Sequence, residues 1–123
     1  MCDSTCKKTV LIIEDDHDIR ETFKQLLELE GYTVATASNG KEGIDILNKM
    51  QSPCLILLDL MMPVMNGWEF LSAQKADERL SKIPVVVVTA VGKESAESPS
   101  ATGYIKKPVE LEVLLETVKQ YCN

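Results

Sequence analysis

Leu55-Ile56-Leu57-Leu58-Asp59-Leu60-Met61-Met62-Pro63 is the stretch that decides how this chain folds. Four apolar residues run straight into an acid, and a proline soon follows. An acid that closes a buried strand is costly to desolvate unless it has ionic company. The same arrangement stands near the start, where Val10-Leu11-Ile12-Ile13 is closed by Glu14-Asp15-Asp16. Two apolar runs ended by carboxylates predict two parallel strands that deliver acids to one edge of one sheet. Carboxylates gathered there repel one another, and a bound divalent cation is the natural resolution.

Outward from these two runs, short β-rich segments alternate with helical periodicity. The first strand spans roughly Thr9 to Glu14. A helix begins near Asp16, a good N-cap, with Ile19, Phe23, Leu26 and Leu27 on one face, and Gly31 stops it. Thr33 to Ala37 is a second strand. Asn39-Gly40 turns the chain into a second helix that reaches about Met50, with Ile44 and Leu47 inward. Pro53 precedes the third strand, Leu55 to Asp59. A helix over about Gly67 to Ala76 and a strand from Val85 to Thr89, after Pro84, follow. Tyr104-Ile105 reads as a short fifth strand. The last helix runs from about Val109 to Tyr121, with Leu111, Leu114, Leu115 and Val118 on one face. Five βα units in 123 residues predict an α/β fold: a doubly wound, parallel five-stranded sheet with helices on both sides. Ligands in such folds sit outside the carboxyl ends of the strands. Glu14, Asp15, Asp59 and Thr89 all fall at predicted strand ends.

The length fits one domain, with residues 1–8 as a polar N-terminal tail and the domain over 9–123. With 45% hydrophobic residues the chain can build a sizeable core, and its formal net charge of −6 offers no basic face for nucleic acid. No long uncharged apolar run suits a membrane, and the N-terminus has no apolar signal segment. A cytoplasmic protein is expected. The four cysteines, Cys2, Cys6, Cys54 and Cys122, lack the paired short spacings of a zinc site, and the chain has a single histidine, His17. They are expected to be structural or incidental thiols, with a redox pair of Cys2 and Cys6 unsupported by anything else.

Glu14, Asp15 and Asp59 offer two or three oxygens to a Mg2+ ion. Acids before a helix are commonly caps, and that reading suffices for Asp16 and Asp18. Asp59 on a neighbouring strand lifts Asp15 above it. Thr89 taken singly is an ordinary β-branched strand residue, and Lys107 taken singly is a solvated charge, as Lys106 beside it is expected to be. A cis Lys107-Pro108 bond would fix the lysine's direction. A hydroxyl, a lysine and a metal converging on one carboxylate are equipment for holding a phosphoryl group. Their order along the chain, each at the end of a successive strand, is the strong signal.

Val10 to Asp16, Leu57 to Pro63, Asn66-Gly67, Val88-Thr89-Ala90 and Gly103 to Pro108 together resemble the signature segments of response-regulator receiver domains, over nearly the whole chain. The resemblance implies a flavodoxin-like (βα)5 fold like that of the chemotaxis regulators, in a protein that is not an enzyme beyond assisting its own phosphorylation and dephosphorylation. Asp59 would be the phospho-acceptor. Asp15 would ligate Mg2+ directly and Glu14 mostly through water, with Met61 giving a backbone carbonyl beside Asp59. Thr89, Ala90 and Lys107 would contact the phosphoryl group or move toward it. Tyr104 would be an aromatic switch residue, where its residue type alone reads as a half-buried edge-strand tyrosine. The implied partners are a histidine kinase or histidine phosphotransfer protein and an output protein.

The sequence departs from the family between Thr89 and Lys107, where residues 90–106 make a short link. A crossover between parallel strands needs about a dozen residues. The segment from Gly92 to Gly103 has almost no apolar stripe and contains Pro99, so a shortened, poorly anchored fourth helix is expected there. Two other functions compete. A haloacid-dehalogenase-like phosphatase would share the strand-end Asp, Mg2+, Thr and Lys, but it wants a second Asp where Met61 stands. A pseudo-receiver binding module would have lost the acids, Thr89 or Lys107.

Overall fold

The computed structural model describes residues 8–50, 52–60, 64–89 and 101–122. Its elements run β1 (Thr9–Ile13), α1 (His17–Leu29), β2 (Thr33–Ala37), α2 (Gly40–Leu47), β3 (Leu55–Asp59), α3 (Gly67–Ala76), a 3-10 turn (Leu80–Lys82), β4 (Val85–Thr89), β5 (Gly103–Lys106) and the C-terminal helix α4 (Leu111–Cys122). The strands form one sheet in the order β2-β1-β3-β4-β5, parallel throughout. This is the doubly wound five-stranded α/β sheet that the alternating pattern predicts.

β3 and β4 are buried at every position, as central strands with helices on both faces must be. Successive side chains of a strand point to opposite faces, and the core divides accordingly. Leu11, Ile13, Ile56, Leu58, Val85 and Val87 meet Leu47, Phe70 and Leu71 of α2 and α3. Val10, Ile12, Leu55, Leu57, Val86 and Val88 meet Phe23, Leu27, Leu114 and Val118 of α1 and α4.

Local signals set the boundaries. Asp16 caps α1, its side chain accepting from the Ile19 amide at 3.1 Å, and Gly31 ends that helix with a φ of 96°. Asn66 opens α3 with a reciprocal capping box: its side chain accepts from the Glu69 amide at 2.9 Å, and Glu69 accepts from the Asn66 amide at 3.0 Å. β1 stops at Ile13, one residue before the expected end, and α2 stops at Leu47 rather than near Met50. The C-terminal helix begins at Leu111 instead of Val109. Leu111 does not join the inward face expected of it and stays 45% exposed, lining a cleft with Ile19 and Phe23 of α1.

The fourth helix expected between β4 and β5 falls on 90–100, outside the described residues. The end of that link is nonetheless tied down. The Thr102 amide donates to the Val85 carbonyl at 2.7 Å, and the Thr102 hydroxyl accepts from the Val85 amide at 3.2 Å. Gly103 already lies in β5, so these last residues belong to the sheet.

The cysteines correct a second expectation. Cys54 and Cys122 are joined as a disulfide, with Cα atoms 5.3 Å apart across a sequence separation of 68 residues. The topology brings the start of β3 beside the end of α4, which sequence spacing does not disclose. Cys2 and Cys6 lie outside the described residues. Chain-entropy accounting assigns a cross-link over a loop of this length about 4 kcal/mol. Among the described residues no helix is long and apolar enough to cross a membrane.

Gly67 shows how tightly α3 meets the end of β3. A Cβ built there would stand 2.6 Å from the Leu60 Cα and 2.8 Å from the Asp59 carbonyl oxygen, backbone atoms that cannot turn aside. Gly67→Ala is therefore expected to lower stability by about 1–3 kcal/mol in a urea melt. A variant as stable as the parent would show that the helix start is free to move.

Candidate functional site

The ends of β1, β3 and β4 and the turn after β5 converge at the carboxyl edge of the sheet. Strand phase sorts their side chains. Glu14, Asp59 and Lys107 continue the alternation that puts Ile12, Leu57 and Ile105 on the α1/α4 side. Thr89 continues the opposite set, Val85 and Val87, as does Tyr104. Glu14, Asp59 and Thr89 are 2%, 5% and 2% exposed, so this is a buried polar cluster under the rim.

Lys107 compensates the acids. Its Nζ lies 3.1 Å from Glu14 Oε1 and 3.6 Å from Asp59 Oδ2. Its amide donates to the Thr89 carbonyl at 2.8 Å, which fixes the turn that carries it. The Lys107-Pro108 bond is cis. Glu14 Oε2 accepts from the Asp16 amide at 3.2 Å, and Arg20 Nη1 donates to the Glu14 carbonyl at 2.9 Å. Glu14, Asp15 and Asp59 each offer an oxygen within 4.8 Å of the others.

Burial pushes the Glu14 carboxyl up to about 7, and the charge of Asp59 pushes the same way against the opposing pull of Lys107. Burial works against the Lys107 ammonium, but Glu14, then Asp59 and Asp15, outweigh it and hold the lysine above its ordinary value. Two buried carboxylates share the Lys107 ammonium, with the exposed Asp15 beside them.

The structure brings several of the expected residues together: Lys107 contacts Glu14 and Asp59, Asp15 offers an oxygen within 4.8 Å of both acids, and Thr89 ends the neighbouring strand. Tyr104 is half-buried on the Thr89 side of the sheet, and its register partner is Val87, two residues before Thr89. Met61 and Ala90 lie outside the described residues. Asp16 is the helix cap it was expected to be, and Lys106 is exposed. Two features escaped the sequence reading. Arg20, one helical turn past the Asp16 cap, steadies the Glu14 backbone. A cleft of about 590 Å3 between α1 and the Lys107 turn is lined by Ile19, Phe23, Pro108, Val109 and Leu111, with Lys107 at its edge. The apolar residues flanking Lys107-Pro108 were its only trace in the sequence.

Comparison with known proteins decides the family. The family model for the response regulator receiver domain matches residues 10–119. The chain belongs to the response-regulator receiver domains. It is 35% identical to the polar-differentiation response regulator DivK of Brucella anthropi over 118 residues, covering 93% of this chain and 95% of that one. Among solved structures, the signal receiver domain of a signal transduction histidine kinase from Syntrophus aciditrophicus superposes with a TM-score of 0.85 at 32% identity, over 94% of this chain and 89% of that one. The response regulator TrrA of Thermotoga maritima, solved in complex with Mg2+ and BeF, superposes with a TM-score of 0.82 at 28% identity, over 93% and 98% of the two chains. This is therefore a receiver domain of two-component signalling, and the phosphatase reading receives no support.

The raised Glu14 pKa has a measurable consequence for the receiver domain. A folded-state value of about 7 lies above the ordinary 4.5, so between these values the folded protein holds a proton that the unfolded chain releases. Stability must then fall as pH rises through this window, by up to about 3 kcal/mol from this group. Urea melts in EDTA from about pH 5 to about pH 8 should show the decline, and Glu14→Gln should flatten it. An unchanged slope in that variant would assign the decline to other groups.

Proposed function

We propose that this receiver domain takes a phosphoryl group onto Asp59 from a phosphohistidine of a histidine kinase or histidine phosphotransfer protein, and that the modified state engages an output protein in the cytoplasm. The observation that carries the proposal is the buried Glu14-Asp59-Lys107 cluster with Asp15 beside it. An Asp59 Oδ attacks phosphorus, the P–N bond breaks, and the electron pair leaves on the imidazole nitrogen. Lys107 already lies between Glu14 and Asp59, so its ammonium stands where a new phosphoryl oxygen needs a cation. The Thr89 hydroxyl and the Ala90 backbone close on the phosphoryl group from the neighbouring strand. Tyr104, on the same side of the sheet as Thr89, is the switch residue that follows. The intact acids, Thr89 and Lys107 argue against a pseudo-receiver.

The donor set fits Mg2+: hard carboxylate oxygens, close enough to share one ion. Asp15 and Asp59 would be direct ligands, Glu14 a ligand through water, and the Met61 carbonyl a further oxygen. When bound, Mg2+ neutralises the carboxylates and the oxygens of the incoming group. The Mg2+ complex of TrrA supports this choice of metal. The apolar cleft beside Lys107 gives a donor helix a place to rest next to Asp59, with exposed Leu111 and half-buried Ile19 as its contacts.

Incubation with acetyl phosphate and Mg2+ should add one phosphoryl group by intact mass, and Asp59→Asn should remove the adduct. Its persistence in that variant would place the acceptor elsewhere. Trp68 opens α3 just after the loop that follows Asp59 and is 36% exposed, so its fluorescence should report Mg2+. Asp15→Ala is expected to weaken that titration strongly while making the metal-free protein more stable, because it relieves carboxylate repulsion. A variant that titrates like the parent would remove Asp15 from the ligand set.

A further inference from the structure

The far edge of the sheet, at the amino ends of the strands, carries a feature that the phosphoryl site does not use. Cys54 opens the chain into β3, Cys122 closes α4, and the two are bonded. The pair is asymmetric. Cys122 is buried at 3% exposure among the residues that pack α4 onto the sheet, whereas Cys54 is half-buried and lines an open cleft of about 700 Å3. Arg79, Lys82 and Glu78, all exposed, and Tyr121 line the same cleft; Arg79 Nη2 also donates to the Leu47 carbonyl at 2.8 Å, which leaves Lys82, among the described residues, as the cation free to meet a ligand there. The bond is thus reached from the Cys54 side, through a mouth that carries two cations and one carboxylate.

We propose that Cys54 is a thiol-exchange site, addressed through this cleft by a small anionic thiol, and that its exchange locks or releases the last turn of α4. The thiolate attacks Cys54 Sγ, the Cys54–Cys122 bond breaks, and the electron pair leaves on Cys122 Sγ, which takes a proton from solvent. Cys54 is left in a mixed disulfide. A second thiolate attacks the outer sulfur of that mixed disulfide, so that two small thiols become one small disulfide and the protein holds two thiols. The reverse direction uses the small disulfide as oxidant. Attack falls on Cys54 because access governs which sulfur is taken. Arg79 and Lys82 raise the local concentration of an anionic thiol. In a compartment that keeps thiols reduced, a disulfide is usually transient or redox-sensing rather than permanent. Release of Cys122 removes the covalent tie at the end of α4 and leaves the packing of Leu114, Val118 and Tyr121.

Glutathione and its disulfide are the probes. The whole protein, equilibrated in glutathione buffers of graded oxidation, is alkylated and peptide-mapped, so that Cys2 and Cys6 report separately. The Cys54–Cys122 bond should form in the oxidised buffers and open in the reduced ones. Cys122→Ser should trap glutathione on Cys54 readily, and Cys54→Ser should trap it on Cys122 far more slowly. Lys82→Gln should slow exchange by glutathione about three- to tenfold while leaving exchange by neutral 2-mercaptoethanol unchanged. Amide exchange in the last turn of α4 should quicken on reduction. Two alkylatable thiols in every buffer, or faster trapping on Cys122 than on Cys54, would overturn the assignment. Equal slowing of both thiols by Lys82→Gln would overturn the role of the cations.

Discussion

The ammonium of Lys107 is the contact on which the site depends. Parallel strands put their carboxyl ends at one edge, and in this chain two of those ends carry buried acids. Burial makes each charge more costly and makes their mutual repulsion stronger. A single cation reaching across from the β5 turn, 3.1 Å from Glu14 and 3.6 Å from Asp59, is what allows both side chains to stay under the rim. Its backbone is pinned to Thr89 in the same turn. One residue therefore links the first, third, fourth and fifth strands electrostatically and by hydrogen bonding. Two carboxylates nevertheless share this one ammonium, and burial first, then the Asp59 charge, raises the Glu14 carboxyl to about 7. The same crowding that lowers stability is where a cation is proposed to bind.

Much of this was legible because the chain is punctuated. Pro53, Pro84 and Asn66 stand just outside elements, and β2, β3, α3 and β4 have the boundaries expected of them. Apolar runs that must be buried on both faces leave little freedom in where they start and stop. The C-terminal helix was harder, since Val109 and Leu111 carry the same periodicity as the buried Leu114 and Val118 yet face a cleft. The Cys54–Cys122 bond was not legible at all. Its partners are separated by 68 residues, and only the right-handed return of each crossover brings them together. Within the site, the residue types and their order pointed to Glu14, Asp15, Asp59 and Lys107. That Lys107 sits closer to Glu14 than to Asp59 is a matter of side-chain reach, which strand order does not encode.

The loop after Asp59 carries the clearest backbone strain among the described residues. Val64 has a φ of 67°, a conformation that a β-branched side chain rarely adopts, and it is 75% exposed, so no packing compensates it. Such a residue costs about 1–3 kcal/mol. It lies between the end of β3 and the Asn66 cap of α3, two anchors that leave the connecting loop little choice of path. Gly67 closes the same loop from the other side by approaching the Asp59 carbonyl. Position at the acid is thus constrained by the close approach of Gly67 to the Asp59 carbonyl, and electrostatics acts within that frame.

The division of the strands into two faces has a consequence for how such a chain can change over time. In β3 the odd positions Leu55 and Leu57 face α1 and α4, and Asp59 inherits their phase; Ile56 and Leu58 face α2 and α3. A substitution alters one side chain and leaves the phase intact. Loss or gain of one residue inside Leu55–Leu58 would carry Asp59 away from Lys107 and exchange the two cores at the same stroke. Length variation is therefore confined to the crossovers, where it displaces no side chain from its face. The short link over residues 90–102 is where this chain has spent that freedom.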